Sequence, residues 1–306
     1  MSDPFLQDVL AGLSRSPKSI PSKYFYDAEG SRLFEAITRL PEYYPTRTET
    51  ALLTQIAPEV AGRIPPGGAL VEFGSGASVK TRLLLDAAPH LARYVPIDIS
   101  PAALEQAAET IRLAYPRLSV EPIIADFTAA LALPSPVLSS PRLGFFPGST
   151  IGNFGPADAT AFLARAKQAL GAGAGLLVGI DLVKASETLV AAYDDPSGVT
   201  AAFNKNLLAR TNRELGGDFD LATFDHRAVW NAIESRIEMH LVSRSDQVVR
   251  IADRSFDFKS GETIHTENSY KFTVEGFSTL ATNAGWRIGP VWSAPEPTFA
   301  LVLLEA

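Results

Sequence analysis

From residue 69 onward, short apolar runs alternate with segments whose apolar residues recur every three or four positions. The runs at 69–73, 94–97, 118–125, 142–147 and 176–180 predict five strands. Helices are expected between them over 79–91, from Pro101 with Ser100 as N-cap, and over 156–170. The helix from Pro101 carries Leu104, Ala107, Ile111 and Leu113 on or near one face. Strands alternating with helices predict a parallel, doubly wound α/β sheet. A helix over 274–284 then leads to two closing strands, 286–292 and 299–304.

The rest of the chain breaks this rhythm. A first helix ends at Leu13, and Leu33, Phe34, Ile37 and Leu40 predict a helix over 31–40 that Pro41 stops. Leu33 and Ile37 are read as core. Tyr43 and Tyr44 fall in a proline-flanked loop, where tyrosines often offer a hydroxyl to a ligand. The segment 61–66 reads as a boundary. Between 186 and 274 come a helix near 198–215 and alternating stretches at 234–242, 248–258 and 264–272. Residues 61–185 and 275–306 are therefore expected to form a sheet domain. Residues 1–60 and 186–274 are expected to pack together as a second, discontinuous α+β domain.

Composition narrows the function. The 306 residues carry a net charge of −7, which argues against a general nucleic-acid binder. There is no cysteine, so disulfides, thiolate metal sites and cysteine nucleophiles are excluded. The four histidines, His90, His226, His240 and His265, lack metal-ligand spacing, and no metal is expected. The N-terminal residues lack the basic and apolar regions of a signal peptide, and no apolar run is long enough to span a membrane. A cytoplasmic, monomeric protein acting on a small molecule is the expectation.

The chemistry centres on Leu70 to Lys80. An apolar strand turns on Gly74 and Gly76 into a helix, where missing side chains let a ligand approach the backbone. A helix beginning there would offer amide donors to a polar ligand. The next strand ends in Asp98, 22 residues after Gly76, the distance at which an acid reaches a ribose. The third glycine of the dinucleotide fingerprint is missing, since Val79 takes its place. Glu72 gives an E-x-G-x-G pattern, which resembles motif I of class I S-adenosylmethionine-dependent methyltransferases. An NAD-dependent dehydrogenase ranks below that reading. Other polar strand ends are Asp126-Phe127, Ser149 to Asn153, and Asp181; each alone is equally what an ordinary turn gives.

Longer motifs sharpen the resemblance. KSIPSKYFYDAEGSRLFEAITRLPEYYPTRTE, VEFGSGASVKTRLLLDA, STIGNF, DLVK, AYDDPSGVTAAFN, RIEMHL and TENSYKF together resemble the histidine Nα-methyltransferases of ergothioneine biosynthesis. The resemblance implies a Rossmann-like sheet and trimethylation of the L-histidine α-amine to hercynine, with S-adenosyl-L-methionine as methyl donor. It implies cofactor contacts from Gly74, Ser75, Gly76, Lys80, Asp98, Asp126 and Phe127. Lys80 would meet the cofactor carboxylate, Asp98 the ribose, and Asp126 and Phe127 the adenine. It places the amino acid among Tyr43, Asn153, Tyr193, Glu267 and Ser269, with Met239 against the side chain.

Physical roles fit these positions. An amine must present a free lone pair in line with the S–CH3 bond, so positioning dominates. Asn153 and Tyr193, the expected catalytic residues, can hold that nitrogen by hydrogen bonds without fixing it as an ammonium. The hydroxyl of Tyr43 suits the substrate carboxylate. Asp194 or Asp195 is a candidate proton acceptor, with turn capping as the alternative. Glu267 and Ser269, two apart on an extended segment, would point the same way, and the pair suits an imidazole with its two nitrogens. Two other functions compete: an N-methyltransferase for a tryptophan-type amino acid, and a non-catalytic S-adenosylmethionine-binding module. The acid at Glu267, with Met239, favours histidine.

Overall fold

The computed structural model describes residues 3–76, 79–296 and 298–306, and the chain divides into two compact units. The first comprises Pro45–Val183 and Phe272–Ala306. Its sheet runs Arg287–Ala294, Phe299–Glu305, Gly175–Asp181, Arg142–Phe146, Ala69–Phe73, Arg93–Asp98, Ser119–Val120, with Ile123–Ile124 also on Arg93–Asp98. The pairs from Gly175–Asp181 across to Ser119–Val120 are parallel, and the two closing strands are antiparallel. This is the expected α/β sheet with its closing pair. All five residues of Ala69–Phe73 are buried, as the unbroken apolar run requires of a strand covered on both faces.

Three elements depart from the expectation. The run 118–125 forms two short strands, Ser119–Val120 and Ile123–Ile124, because Pro122 has no N–H to donate to the ladder. The helix Val79–Ala87 stops short of 91, since Pro89 disfavours helical backbone in the residue before it. The third difference moves a boundary. Residues 44–61 form one 18-residue helix, Tyr44–Ala61, so Tyr44 opens a helix where a loop was expected. Its face of Leu52, Leu53, Ile56, Ala57 and Val60 packs into the core with Leu70, Leu84, Tyr94 and Phe145. Each such fully buried side chain contributes roughly 1.5–3 kcal/mol. Residues 45–60 therefore belong with the sheet, and the division falls after Tyr44 rather than after residue 60.

The second unit comprises Met1–Tyr44 and Lys184–Lys271. Its four-stranded sheet runs Lys18–Ser19, Thr263–Tyr270, Arg236–Ser243, Phe224–Asn231. A separate hairpin joins Gln247–Ile251 to Arg254–Phe258, where a single stretch, 248–258, was expected. Phe224–Asn231 is a strand that the sequence pattern did not announce. Helices Pro4–Leu13, Ala28–Ile37, Ser186–Ala191 and Val199–Leu215 complete the unit. Phe25 stacks on Phe203 at 4.5 Å, and against Phe203 the Tyr26 ring lies edge-on and the Phe34 ring tilted. Leu33 and Ile37 are buried in this core, as expected.

Asp27 caps the helix Ala28–Ile37 by accepting from the Gly30 N–H at 2.7 Å, and it also accepts from Asn206 and Arg213. Burial alone would raise its pKa, but these three donors outweigh it and hold the carboxyl below its usual value. Asp27→Ala should lower stability by about 0.5–2 kcal/mol near neutral pH. A depressed pKa stabilises above the unfolded value, so the deficit should shrink as pH falls through the acid range. Thermal melts of both proteins across pH check this.

Candidate active site

In the sheet unit, the glycine turn closes on itself. Gly74 has φ +71°, and a Cβ there would stand 3.3 Å from the Phe127 ring. Both facts exclude a larger residue. The Gly74 and Ser75 N–H groups donate to the Ile97 carbonyl at 2.8 and 3.2 Å. The Gly76 N–H donates to Asp98 Oδ2 at 3.1 Å, and the Ser100 N–H to Asp98 Oδ1 at 3.0 Å. The amides of Gly74, Ser75 and Gly76 thus serve the protein itself. The next two residues, Ala77 and Ser78, lie outside those described. What the turn presents is its shape and the half-buried Asp98 carboxylate.

Phe127 sits edge-on to Phe146 and Phe162 at 5.7 and 5.8 Å, which fixes its ring plane. Asp126 is exposed, and its Oδ1 accepts the Thr128 N–H at 2.8 Å. Ile99, 59% exposed directly after Asp98, adds apolar surface that the motif reading did not include. Behind the turn, burial pushes the Glu72 carboxyl up to about 7, against the hydrogen bond that the Tyr94 hydroxyl donates to it. Asn153 ends the short helical turn Thr150–Asn153 and is half-buried, with no hydrogen bond from its side chain among the described residues. The residue before that turn, Ser149, takes φ +53° and accepts the Asp181 N–H at 2.9 Å.

Lys80 has a partner within the sheet unit. Its ammonium is bonded to the carboxylate of Glu49, a residue no motif singled out. Glu49 is fully buried, and both its oxygens lie 2.9 Å from the Gly148 N–H.

In the second unit, a β-bulge sets the residues. His265 pairs with His240, but Glu267 pairs with Met239, so Thr266 is the extra residue on its strand. Its hydroxyl donates to the Met239 carbonyl at 3.0 Å and pins the irregularity. Side chains alternate, so His265 lies on the His240 face while Glu267 and Ser269 lie on the face of Met239 and Ile237. Glu267 and Ser269 do share a face. Met239 is directly opposite Glu267 and buried. Burial pushes the Glu267 carboxyl up to about 7, and the charge of Lys271 opposes that rise.

Tyr193 meets this face. Its hydroxyl is 2.7 Å from Ser269 Oγ. Lys271 donates to Tyr193 at 3.0 Å and to Ser269 at 2.9 Å, forming a buried triangle. Lys271 was missed, although its place two residues beyond Ser269 continues the alternation. The Tyr193 backbone is also held: Asn204 donates to His226 Nδ1 at 2.8 Å, and His226 Nε2–H donates to the Tyr193 carbonyl at 2.8 Å. Burial keeps the His226 pKa low, so the imidazole is neutral in this tautomer. Tyr43 lies in the loop before the helix Tyr44–Ala61 and is buried, with its ring 6.1 Å from that of Tyr193. Asp195 accepts the Val199 and Thr200 N–H groups at 3.0 and 2.7 Å, which is the capping alternative.

The family of histidine-specific, S-adenosylmethionine-dependent methyltransferases matches residues 5–306. The chain is 48% identical to the histidine N-alpha-methyltransferase of Mycolicibacterium smegmatis, across 97% of this chain and 93% of that one. It is 44% identical to the histidine N-alpha-methyltransferase of Mycobacterium tuberculosis, with the same coverage. A 4-dimethylallyltryptophan N-methyltransferase of Epichloe festucae var. lolii is 26% identical, across 95% and 92%. With its glycine turn, its acid at the second strand end and a match over nearly the whole length, the chain belongs to the histidine-specific, S-adenosylmethionine-dependent methyltransferases.

Proposed function

We propose that this protein methylates the α-amine of L-histidine three times to give hercynine, the opening reaction of ergothioneine synthesis. The observation that carries the choice of histidine is the Glu267, Ser269 and Tyr193 arrangement, aligned on one face by the bulge. A carboxylate and a hydroxyl at this spacing suit the two nitrogens of an imidazole, and an indole has only one.

The sheet unit fits the methyl donor. The space that a Cβ at Gly74 would fill, the Asp98 carboxylate and the fixed Phe127 ring suit a methionyl chain, a ribose and an adenine in turn. S-adenosylmethionine, when bound, supplies a methyl group on a sulfonium. Asp98 would accept from the ribose hydroxyls while keeping its bond to Gly76. Asn153 and Tyr193 would orient the amine nitrogen, leaving its lone pair for the new N–C bond. The pair of electrons from the broken C–S bond stays on sulfur. The first two transfers each release a proton from nitrogen, and the third leaves a quaternary ammonium. The fixed Tyr193 backbone limits drift of the nitrogen between transfers.

Incubation with histidine and S-adenosylmethionine should give products carrying one, two and three added methyl groups by mass spectrometry. Methylated tryptophan with unmodified histidine would select the tryptophan-type alternative. Cofactor binding with no methylated amino acid would select the non-catalytic one.

A further inference from the structure

The buried carboxylate of Glu49 has no part in any motif, yet three features of the sheet unit are shaped around it. Both its oxygens lie 2.9 Å from one backbone donor, the Gly148 N–H. Its Oε2 bonds the Lys80 ammonium, in the first turn of the helix after the glycine turn. And the strand Gly175–Asp181 carries a glycine where the carboxylate lies: a Cβ on Gly179 would stand 2.1 Å from Glu49 Oε1. A glycine inside a buried strand weakens it and marks a close approach. Here the approaching group is Glu49.

We propose that Glu49 is a positioning residue for the methyl donor, holding the Lys80 ammonium where it meets the carboxylate of the methionyl end. This rests on the reading of the sheet unit as the cofactor site. Lysine has a flexible four-carbon stem and a strongly hydrated head, so an unanchored ammonium samples many positions. Glu49 is 0% exposed and held by Gly148, so it is a fixed point; Lys80 is 17% exposed, so its head keeps one open side. An ammonium has three donors and Glu49 takes one. The Gly148 turn borders the same head: at φ +79°, a Cβ on Gly148 would stand 3.6 Å from Lys80 Nζ. Glu49 does not reach a ligand itself. Its effect passes through Lys80.

The test compares two ligands by calorimetry: S-adenosylhomocysteine, which has the amino-acid end, and 5′-methylthioadenosine, which lacks it. Glu49→Gln should weaken S-adenosylhomocysteine by about tenfold, the worth of one charge-assisted contact. It should leave 5′-methylthioadenosine within about twofold. Gly179→Ala, which displaces the carboxylate without touching its charge, should give the same pattern. The double variant Glu49→Gln, Lys80→Met should bind S-adenosylhomocysteine no more weakly than Lys80→Met alone, because the effect of Glu49 passes through that ammonium. Equal losses for both ligands, or no loss for S-adenosylhomocysteine, would overturn the proposal. Failure of the unaltered protein to bind either ligand would overturn the cofactor reading instead.

Discussion

Replacing Glu267 by alanine is expected to weaken histidine binding by roughly one to two orders of magnitude, the worth of a charge-assisted hydrogen bond. The expected split is a raised KM for histidine with binding of S-adenosylhomocysteine nearly unchanged, because Glu267 stands in the unit that lacks the glycine turn. Relative use of tryptophan or phenylalanine should improve, since the face opposite Met239 becomes less polar, and more so with Met239→Val. A pH dependence accompanies this. With its carboxyl raised to about 7, Glu267 is a full acceptor only above that value. Histidine affinity should therefore fall as pH drops through 7, and Glu267→Gln should lack that acid limb. Protonation of free histidine is common to both proteins and cancels in their ratio. Full histidine turnover by Glu267→Ala would show that the ring is read elsewhere.

Asp98→Ala should cost more than any other single change on the sheet unit. The carboxylate organises the turn through Gly76 and Ser100 and is the acceptor placed for a ribose diol. Two charge-assisted hydrogen bonds at about 1.5–3 kcal/mol each predict a loss of two orders of magnitude or more in cofactor affinity. Asp98→Asn keeps the shape and one acceptor oxygen, and should recover part of the loss. Calorimetry with S-adenosylhomocysteine reads both variants. Cofactor affinity preserved in Asp98→Ala would remove the ribose role from this residue.

Much of this was legible in the sequence because it is local. The apolar runs gave the strands, and the turn at Gly74 and the acid at Asp98 followed from spacing alone. The alternation that joins Glu267 to Ser269 is likewise a two-residue pattern. What escaped was non-local or concealed. The helix Tyr44–Ala61 holds Pro45 and Pro58, which hid the helical spacing of Leu52, Leu53, Ile56 and Ala57. Glu49 reads as any acid on a helix until Gly148, 99 residues away, is brought to it. Lys271 reads as a surface lysine, the usual fate of that residue, until its two hydroxyl partners appear. That Ile97 and Asp98 take the donors of Gly74, Ser75 and Gly76 is equally non-local, and no sequence rule shows it.

The bulge at Thr266 makes the pocket's identity a matter of counting as well as of chemistry. Downstream of it, parity decides which side chains face Met239: Glu267, Ser269 and Lys271 take that face because the bulge absorbs Thr266. Were the ladder to run without the bulge, Thr266 would pair with Met239, and Asn268 and Tyr270 would take the face now held by acid, hydroxyl and ammonium. Any alignment of this strand that slips by one position will misassign every residue of the pocket after it.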